Sequence, residues 1–155
     1  MQDAAWGTFN QPGWTGNNGD PLNNFAFEGH AYLDSNNSGI RDDVQGGNAS
    51  FGSTIMVDMT NWCRYTNGNT STPKANPFKA FVGEFGWTTS TLPMQAGTNQ
   101  LDYLSANSDV WIGWTWYLGG NFASQANYTY GSVVPSGSVG YYTDRPQLAQ
   151  LTAHL

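Results

Sequence analysis

Residues 78–87 read FKAFVGEFGW. The first part is apolar on both faces, the pattern of a parallel strand buried on both sides. The run ends on one carboxylate, Glu84, set between Gly83 and Phe85. In parallel α/β folds, catalytic groups gather at the C-terminal ends of the strands. A Glu in that place is a candidate nucleophile or general base. The plainer reading is a structural ion pair, and the nearest basic residue in sequence is Lys79. Acid–base chemistry usually needs a second group, so the remaining sequence must supply a partner for Glu84 or leave it without one.

Around this stretch the chain alternates strand and helix. Phe25–Leu33, FAFEGHAYL, is apolar and aromatic and predicts a strand. Phe51–Tyr65 carries Ile55, Met59 and Trp62 at helical spacing, with Met56 and Cys63 beside them. That stripe predicts a helix packed on a sheet. Phe78–Phe85 is the second strand, Pro93–Ala106 a second helix facing inward with Met94, Leu101 and Leu104, and Val110–Leu118 the third strand. Pro146 opens a short closing helix. Residues 1–24, 34–48 and 67–76 and a Gly/Ser-rich stretch in the tail read as loops. The order predicts an α/β fold with a parallel sheet and helices outside it. Three strands make a poor parallel sheet by themselves, because both faces of such sheets need cover. The chain therefore reads as part of a larger α/β architecture.

Composition narrows the partners. The chain has 155 residues, 10% charged against roughly 25% in an average soluble domain. Aromatics reach 15%, and much of the polar share lies in Asn, Ser, Thr and Gly. This balance suits neutral polar ligands such as sugars. The formal net charge of −6 argues against a phosphate backbone, and hence nucleic acid, as partner. No apolar run approaches the roughly 20 residues of a membrane span. The N-terminal residues MQDAAWGTFNQPGW lack the basic and apolar regions of a signal peptide. Cys63 is the only cysteine, so no intrachain disulfide forms. Asn36, Asn48, Asn69 and Asn127 open glycosylation sequons, which chance explains in so Asn-rich a chain.

Several side chains could carry chemistry. Glu28, His30 and Tyr32 alternate along the first strand and so share one face. They are either a hydrogen-bonded core network or part of a site. Trp111, Trp114, Trp116 and Tyr117 crowd the third strand, with Trp114 and Trp116 on a common face. Aromatic rings stack on the apolar faces of sugars, so these are candidate platforms. Trp111 reads as core; Trp116 stands evenly between core and platform. Residues 34–39, DSNNSG, imitate the start of a calcium loop, but the twelfth position is the neutral Gln45 and the flanking strand does not suit a helix–loop–helix. No metal or organic cofactor is expected. Nucleophile-elbow, zinc-protease and P-loop motifs are missing, and His30 and His154 are the only histidines.

The segments FEGHAYLDSNNSG, FKAFVGEFGW and LDYLSANSDVWIGWTWYLGG, with the tail DRPQLAQLTAHL, together resemble glycoside hydrolase family 5 cellulases. The similarity runs from about Pro21 to the C-terminus. The resemblance implies the C-terminal portion, about strands 6 to 8, of a TIM (β/α)8 barrel. It makes residues 1–155 a partial catalytic domain, with a loop-rich entry at 1–24 and βα units over 25–155. It implies that Glu84 is the nucleophile, that His30 shapes the glucosyl site beside it, and that Tyr32 lies close to the same subsite. Where the family often shows Trp-Trp or Tyr-Trp on its eighth strand, this chain has Trp116-Tyr117, and which of the two is the platform stays open. The family's acid/base Glu follows an Asn at the end of its fourth strand. This chain has no Asn-Glu pair, and its only glutamates are Glu28 and Glu84, so the resemblance puts the partner of Glu84 upstream of Met1. The implied activity is retaining hydrolysis of β-1,4-glucan, with mannan and xylan as nearby options, by a secreted enzyme. The alternative from another class is a non-catalytic carbohydrate binder that uses the aromatic face.

Overall fold

The computed structural model describes residues 24–66, 72–117, 133, 136–138 and 141–155. The loop expected over residues 1–24 lies almost wholly outside these, as do Asn69, Asn127 and the first part of the connection expected over 67–76. Three strands form one parallel sheet in the order β1–β2–β3, with β1 at Ala26–His30, β2 at Lys79–Phe85 and β3 at Trp111–Trp116. Parallel neighbours need a crossover, and each is a helix. The helix α1 (Phe51–Arg64) joins β1 to β2, and α2 (Thr91–Ala106) joins β2 to β3. The closing helix α3 covers Pro146–Thr152.

Both crossover helices cover the same side of the sheet. On that side Ala80, Val82 and Phe85 of β2 are fully buried. They meet a helical stripe of Met56, Met59, Trp62 and Cys63 and a second one of Ala96, Leu101 and Leu104. Fully burying side chains of this kind stabilises a fold by about 1.5–3 kcal/mol each, which makes this layer the main store of stability. Ile55 and Met94 are only partly buried and flank the core rather than fill it. The opposite side of the sheet carries Phe81, Ile112 and Glu28, and Ile112 keeps 58% of its surface exposed.

Polar groups inside the apolar layer are paired across elements. The indole N–H of Trp111 donates to the Thr60 hydroxyl at 2.9 Å, and that hydroxyl donates to the Met56 carbonyl at 2.7 Å. The Gln100 amide, fully buried on α2, donates to the Ala31 carbonyl at 3.1 Å. Gln147 of α3 donates to the Trp87 carbonyl at 3.1 Å, and Gln150 accepts from the Trp87 indole at 3.0 Å. These bonds tie β3 to α1, α2 to the end of β1, and α3 to the segment after β2. At the C-terminal turn of α1, Arg64 pairs with Asp109 at 2.6 Å and bonds Asn107 at 3.0 Å. That bond holds the Asp109 carboxyl below its ordinary value.

The elements run a little shorter than expected at most strand ends, and three differences have a physical reason. The helix α2 begins at Thr91, two residues before Pro93. A proline in the first turn is tolerated because the amide it removes has no intrahelical partner. The ladder of β1 stops at His30, where the register shifts, although the Ala31 amide still reaches the Glu84 carbonyl at 2.9 Å. The stretch read as a Gly/Ser-rich loop contains a short antiparallel pair, β4 (Ser136–Ser138) with β5 (Tyr141–Thr143). Its sequence shows no apolar alternation, so no strand signal was there to read.

Two outcomes follow from the packing. A Cβ at Gly52 would run into the backbone carbonyl of Ala96, where α1 and α2 touch. Backbone cannot rotate away, so Gly52→Ala should destabilise the protein by about 2–3 kcal/mol, measured by urea unfolding followed through tryptophan fluorescence. Burial also pushes the Cys63 thiol up to about 12. A thiol reagent at pH 8 should leave Cys63 unmodified in the native protein and label it once denaturant exceeds the unfolding midpoint. Rapid labelling of the native protein would contradict this placement.

Candidate active site

The site is made by an irregularity in the ladder between β1 and β2. Glu28 pairs with Phe81 and Gly29 with Val82, but His30 pairs with Glu84. One residue of β2, Gly83, is therefore extra. Side chains alternate along a strand, so an added residue turns everything after it to the other face. Without the bulge, Glu84 would point into the helix layer. With it, Glu84 shares the open face with Glu28 and His30. Glycine fits the bulge because a Cβ at Gly83 would strike the carboxylate of Glu28.

The groups on this face meet at Glu84. The hydroxyl of Tyr32 donates to Glu84 Oε2 at 2.9 Å. His30 Nδ1 lies 3.3 Å from the same oxygen, and His30 Nε2 lies 3.3 Å from Glu28 Oε1. Both partners of Glu84 thus engage Oε2, and Glu84 Oε1 makes no hydrogen bond among the described residues. The Glu84 side chain is one-third exposed, at 33%. Tyr32 is buried, at 8%. A partly exposed carboxylate held through one oxygen can act as a nucleophile or as a base.

The aromatic residues of β3 and the tyrosine that follows it divide between the two faces. Trp114 pairs with Val82 and Trp116 with Phe85, both on the helix side. Their rings meet Phe85 edge-on at 5.4 and 5.5 Å, and Trp116 also meets Trp87 at 4.6 Å. Tyr117 follows Trp116 and stands with its ring edge-on to Tyr32, at 6.3 Å between centroids. Its amide donates to the Phe85 carbonyl at 2.8 Å. The structure thus brings Glu84, His30, Tyr32 and Tyr117 together, and sets Trp114 and Trp116 against Phe85.

Three residues at the site carried no signal as site residues in the sequence. Gly83 makes the bulge. Gly86 lets the end of β3 approach, since a Cβ there would lie 2.5 Å from the Tyr117 carbonyl oxygen. Gly39 lies against the Tyr32 ring. The spacing of the two glycines around Glu84, G-E-F-G, was the available hint. The calcium-like loop has another use for its acid. Asp34 is buried and accepts from Ser38 Oγ at 2.7 Å and the Gly39 amide at 3.0 Å. Among the described residues no group of three acidic, His or Cys side chains could hold a metal ion, and no helix is long and apolar enough to cross a membrane.

Known proteins match both the sequence and the fold. The family described as Cellulase (glycosyl hydrolase family 5) matches residues 1–120. Endoglucanase gh5-1 of Neurospora crassa is 34% identical over 122 residues, 79% of this chain and 27% of that protein. Endoglucanase 3 of Humicola insolens is 33% identical, over 79% of this chain and 28% of its own length. The chain thus spans little more than a quarter of these relatives. Among solved structures, an endo-β-1,4-glucanase from Xanthomonas axonopodis pv. citri superposes with a TM-score of 0.70 at 34% identity, covering 87% of this chain and 38% of that one. A structure of XacCel5A in complex with cellopentaose also gives 0.70 at 34% identity, over 88% and 38%. The parallel strands and crossover helices are accordingly a section of a TIM barrel. With the match covering most of its length, the chain belongs to glycosyl hydrolase family 5, the cellulase family.

Proposed function

We propose that the protein carrying this chain is a retaining endo-β-1,4-glucanase with Glu84 as its nucleophile. The observation that carries this reading is the carboxylate itself. Glu84 stands at the C-terminal end of a parallel strand, held through Oε2 by Tyr32 at 2.9 Å and by His30 at 3.3 Å. Relatives named as endoglucanases, and a related structure holding cellopentaose, support a β-glucan as substrate.

The chemistry follows from the geometry. Glu84 Oε1 attacks the anomeric carbon and forms a glycosyl-enzyme. A second carboxyl protonates the leaving oxygen and then takes a proton from the attacking water. In retaining enzymes the two carboxyls stand about 5–5.5 Å apart. Glu28 is engaged by His30 Nε2 at 3.3 Å, and the chain has no Asn-Glu pair, so this reading assigns the second carboxyl to a part of the barrel outside residues 1–155. Tyr32 and His30 hold the carboxylate for in-line attack and bind it again when the intermediate breaks down. Tyr117 is the better placed platform of the Trp116–Tyr117 pair, because its ring is on the Glu84 side beside Tyr32. Trp114 and Trp116 then support the strand from behind. An extracellular setting goes with this reading, since polymeric glucan is met outside the cell.

The test is hydrolysis of a soluble β-1,4-glucan by the complete protein beside Glu84→Gln, with mannan and xylan as comparisons. Glu84→Gln should lower kcat by about 10³-fold or more. Added azide should restore turnover to Glu84→Ala and yield a glycosyl azide of inverted configuration. Residues 1–155 alone should be nearly inactive. Full activity of Glu84→Gln would refute the reading. Glucan binding without hydrolysis by the folded complete protein would favour a carbohydrate binder.

A further inference from the structure

The loop after β1 is folded around one buried acid. Asp34 is 3% exposed, and its carboxylate takes the Ser38 hydroxyl at 2.7 Å and the Gly39 amide at 3.0 Å. The Asn37 amide closes on the Asp34 carbonyl at 3.0 Å, with Asn37 in a left-handed conformation at φ 54°. Further along, the Asp42 carboxylate accepts from the Thr88 hydroxyl and, at 2.8 Å, from the Ser90 hydroxyl. The loop is thereby fastened at its root below Tyr32 and at its far end to the segment that follows Glu84.

Between these two anchors, Gly39 lies on the ring of Tyr32. A Cβ at Gly39 would stand 2.5 Å from Tyr32 Cε1 and 2.6 Å from Cδ1. No Cβ fits there, so any side chain must move either the ring or the loop. The ring carries the hydroxyl that donates to Glu84 Oε2 at 2.9 Å. A displacement of the ring by a few tenths of an ångström reaches the carboxylate directly.

Backbone conformation alone does not explain the glycine. Gly39 has φ +73°, which already favours glycine. Gly46 has nearly the same demand, φ +72°, with nothing within 4 Å of an added Cβ. The two positions share the backbone requirement and differ in the ring. They form a matched pair within one chain.

We infer that Gly39 is a positioning residue for the nucleophile: held by the Asp34 loop against the Tyr32 ring, it sets where the Tyr32 hydroxyl meets Glu84. This rests on Glu84 being the nucleophile.

The test compares Gly39→Ala, Gly46→Ala, Tyr32→Phe and the double variant Gly39→Ala/Tyr32→Phe in the complete protein, with Glu84→Gln beside them. Gly39→Ala should lower kcat about tenfold with KM changed less than about twofold, the size expected when a hydrogen bond to a charged group is misplaced. Gly46→Ala should change kcat less than about twofold. In the Tyr32→Phe background the hydroxyl is gone, so adding Gly39→Ala should lower kcat by less than about twofold while still lowering Tm. A merely structural glycine would give the same rate loss in both backgrounds. Equal kcat in Gly39→Ala and Gly46→Ala, or an undiminished loss on the Tyr32→Phe background, would overturn the inference and leave an inactive Glu84→Gln to support the nucleophile. An active Glu84→Gln would overturn both. Should Gly39→Ala fail to fold, Asp34→Asn in the two backgrounds reads the same coupling by the same criteria.

Discussion

The bulge at Gly83 is the constraint from which the site follows. A parallel ladder run in perfect register would bury Glu84 against α1 and α2. An unpaired carboxylate in that layer would be strongly destabilising. One extra residue solves two problems at once. It lets Ala80, Val82 and Phe85 all face the helices, and it turns Glu84 out to meet His30. The absence of a side chain at Gly83 leaves room for Glu28, which in turn contacts His30. Strand pairing, core packing and the placement of the carboxylate are thus three consequences of one local geometry.

The helix layer holds that geometry still. A bulge weakens the ladder where it occurs, because the extra residue is left unpaired. Bonds from outside the sheet offset the loss. Ala31, between His30 and Tyr32, is tied through its amide to Glu84 and through its carbonyl to Gln100. Its two neighbours in sequence are the two residues that hold Glu84. Removing one partner of a buried hydrogen bond typically costs about 1–3 kcal/mol, more than the bond contributes when intact. Buried pairs such as Gln100 with Ala31, and Trp111 with Thr60, therefore specify how helix and strand register as much as they stabilise.

The sequence made the repeated units legible and hid their joints. Alternation in β1, an apolar run in β2, an aromatic one in β3, helical stripes in α1 and α2 and Pro146 before the closing helix locate these elements. The same alternation groups Glu28 and His30, and a carboxylate at a strand end singles out Glu84. Pattern reading assumes unbroken register, however, and a bulge is a break in register. Nothing in the composition of GEFG states which residue is extra. For the same reason the face of Trp114 and Trp116 was readable relative to each other but not relative to Glu84. The role of Gly39 was illegible for a different cause. It depends on a ring seven positions earlier, brought near only when the loop closes around Asp34.

The aromatic residues at and just after the end of β3 differ in what they leave open to a ligand. A platform must present a ring face to the ligand while its edge is held by the protein. Trp116 has its ring engaged edge-on by both Phe85 and Trp87. Tyr117 meets Tyr32 edge to face, and Tyr32 binds the carboxylate through its hydroxyl. Ring, phenol and carboxylate thus form one connected chain on the open face. A ring stacked on Tyr117 would stand beside the phenol that holds Glu84, so both would share a single aromatic contact. Tyrosine in place of tryptophan keeps the stacking surface smaller and adds a hydroxyl at its rim. That exchange trades contact area for a hydrogen-bonding group on the open face.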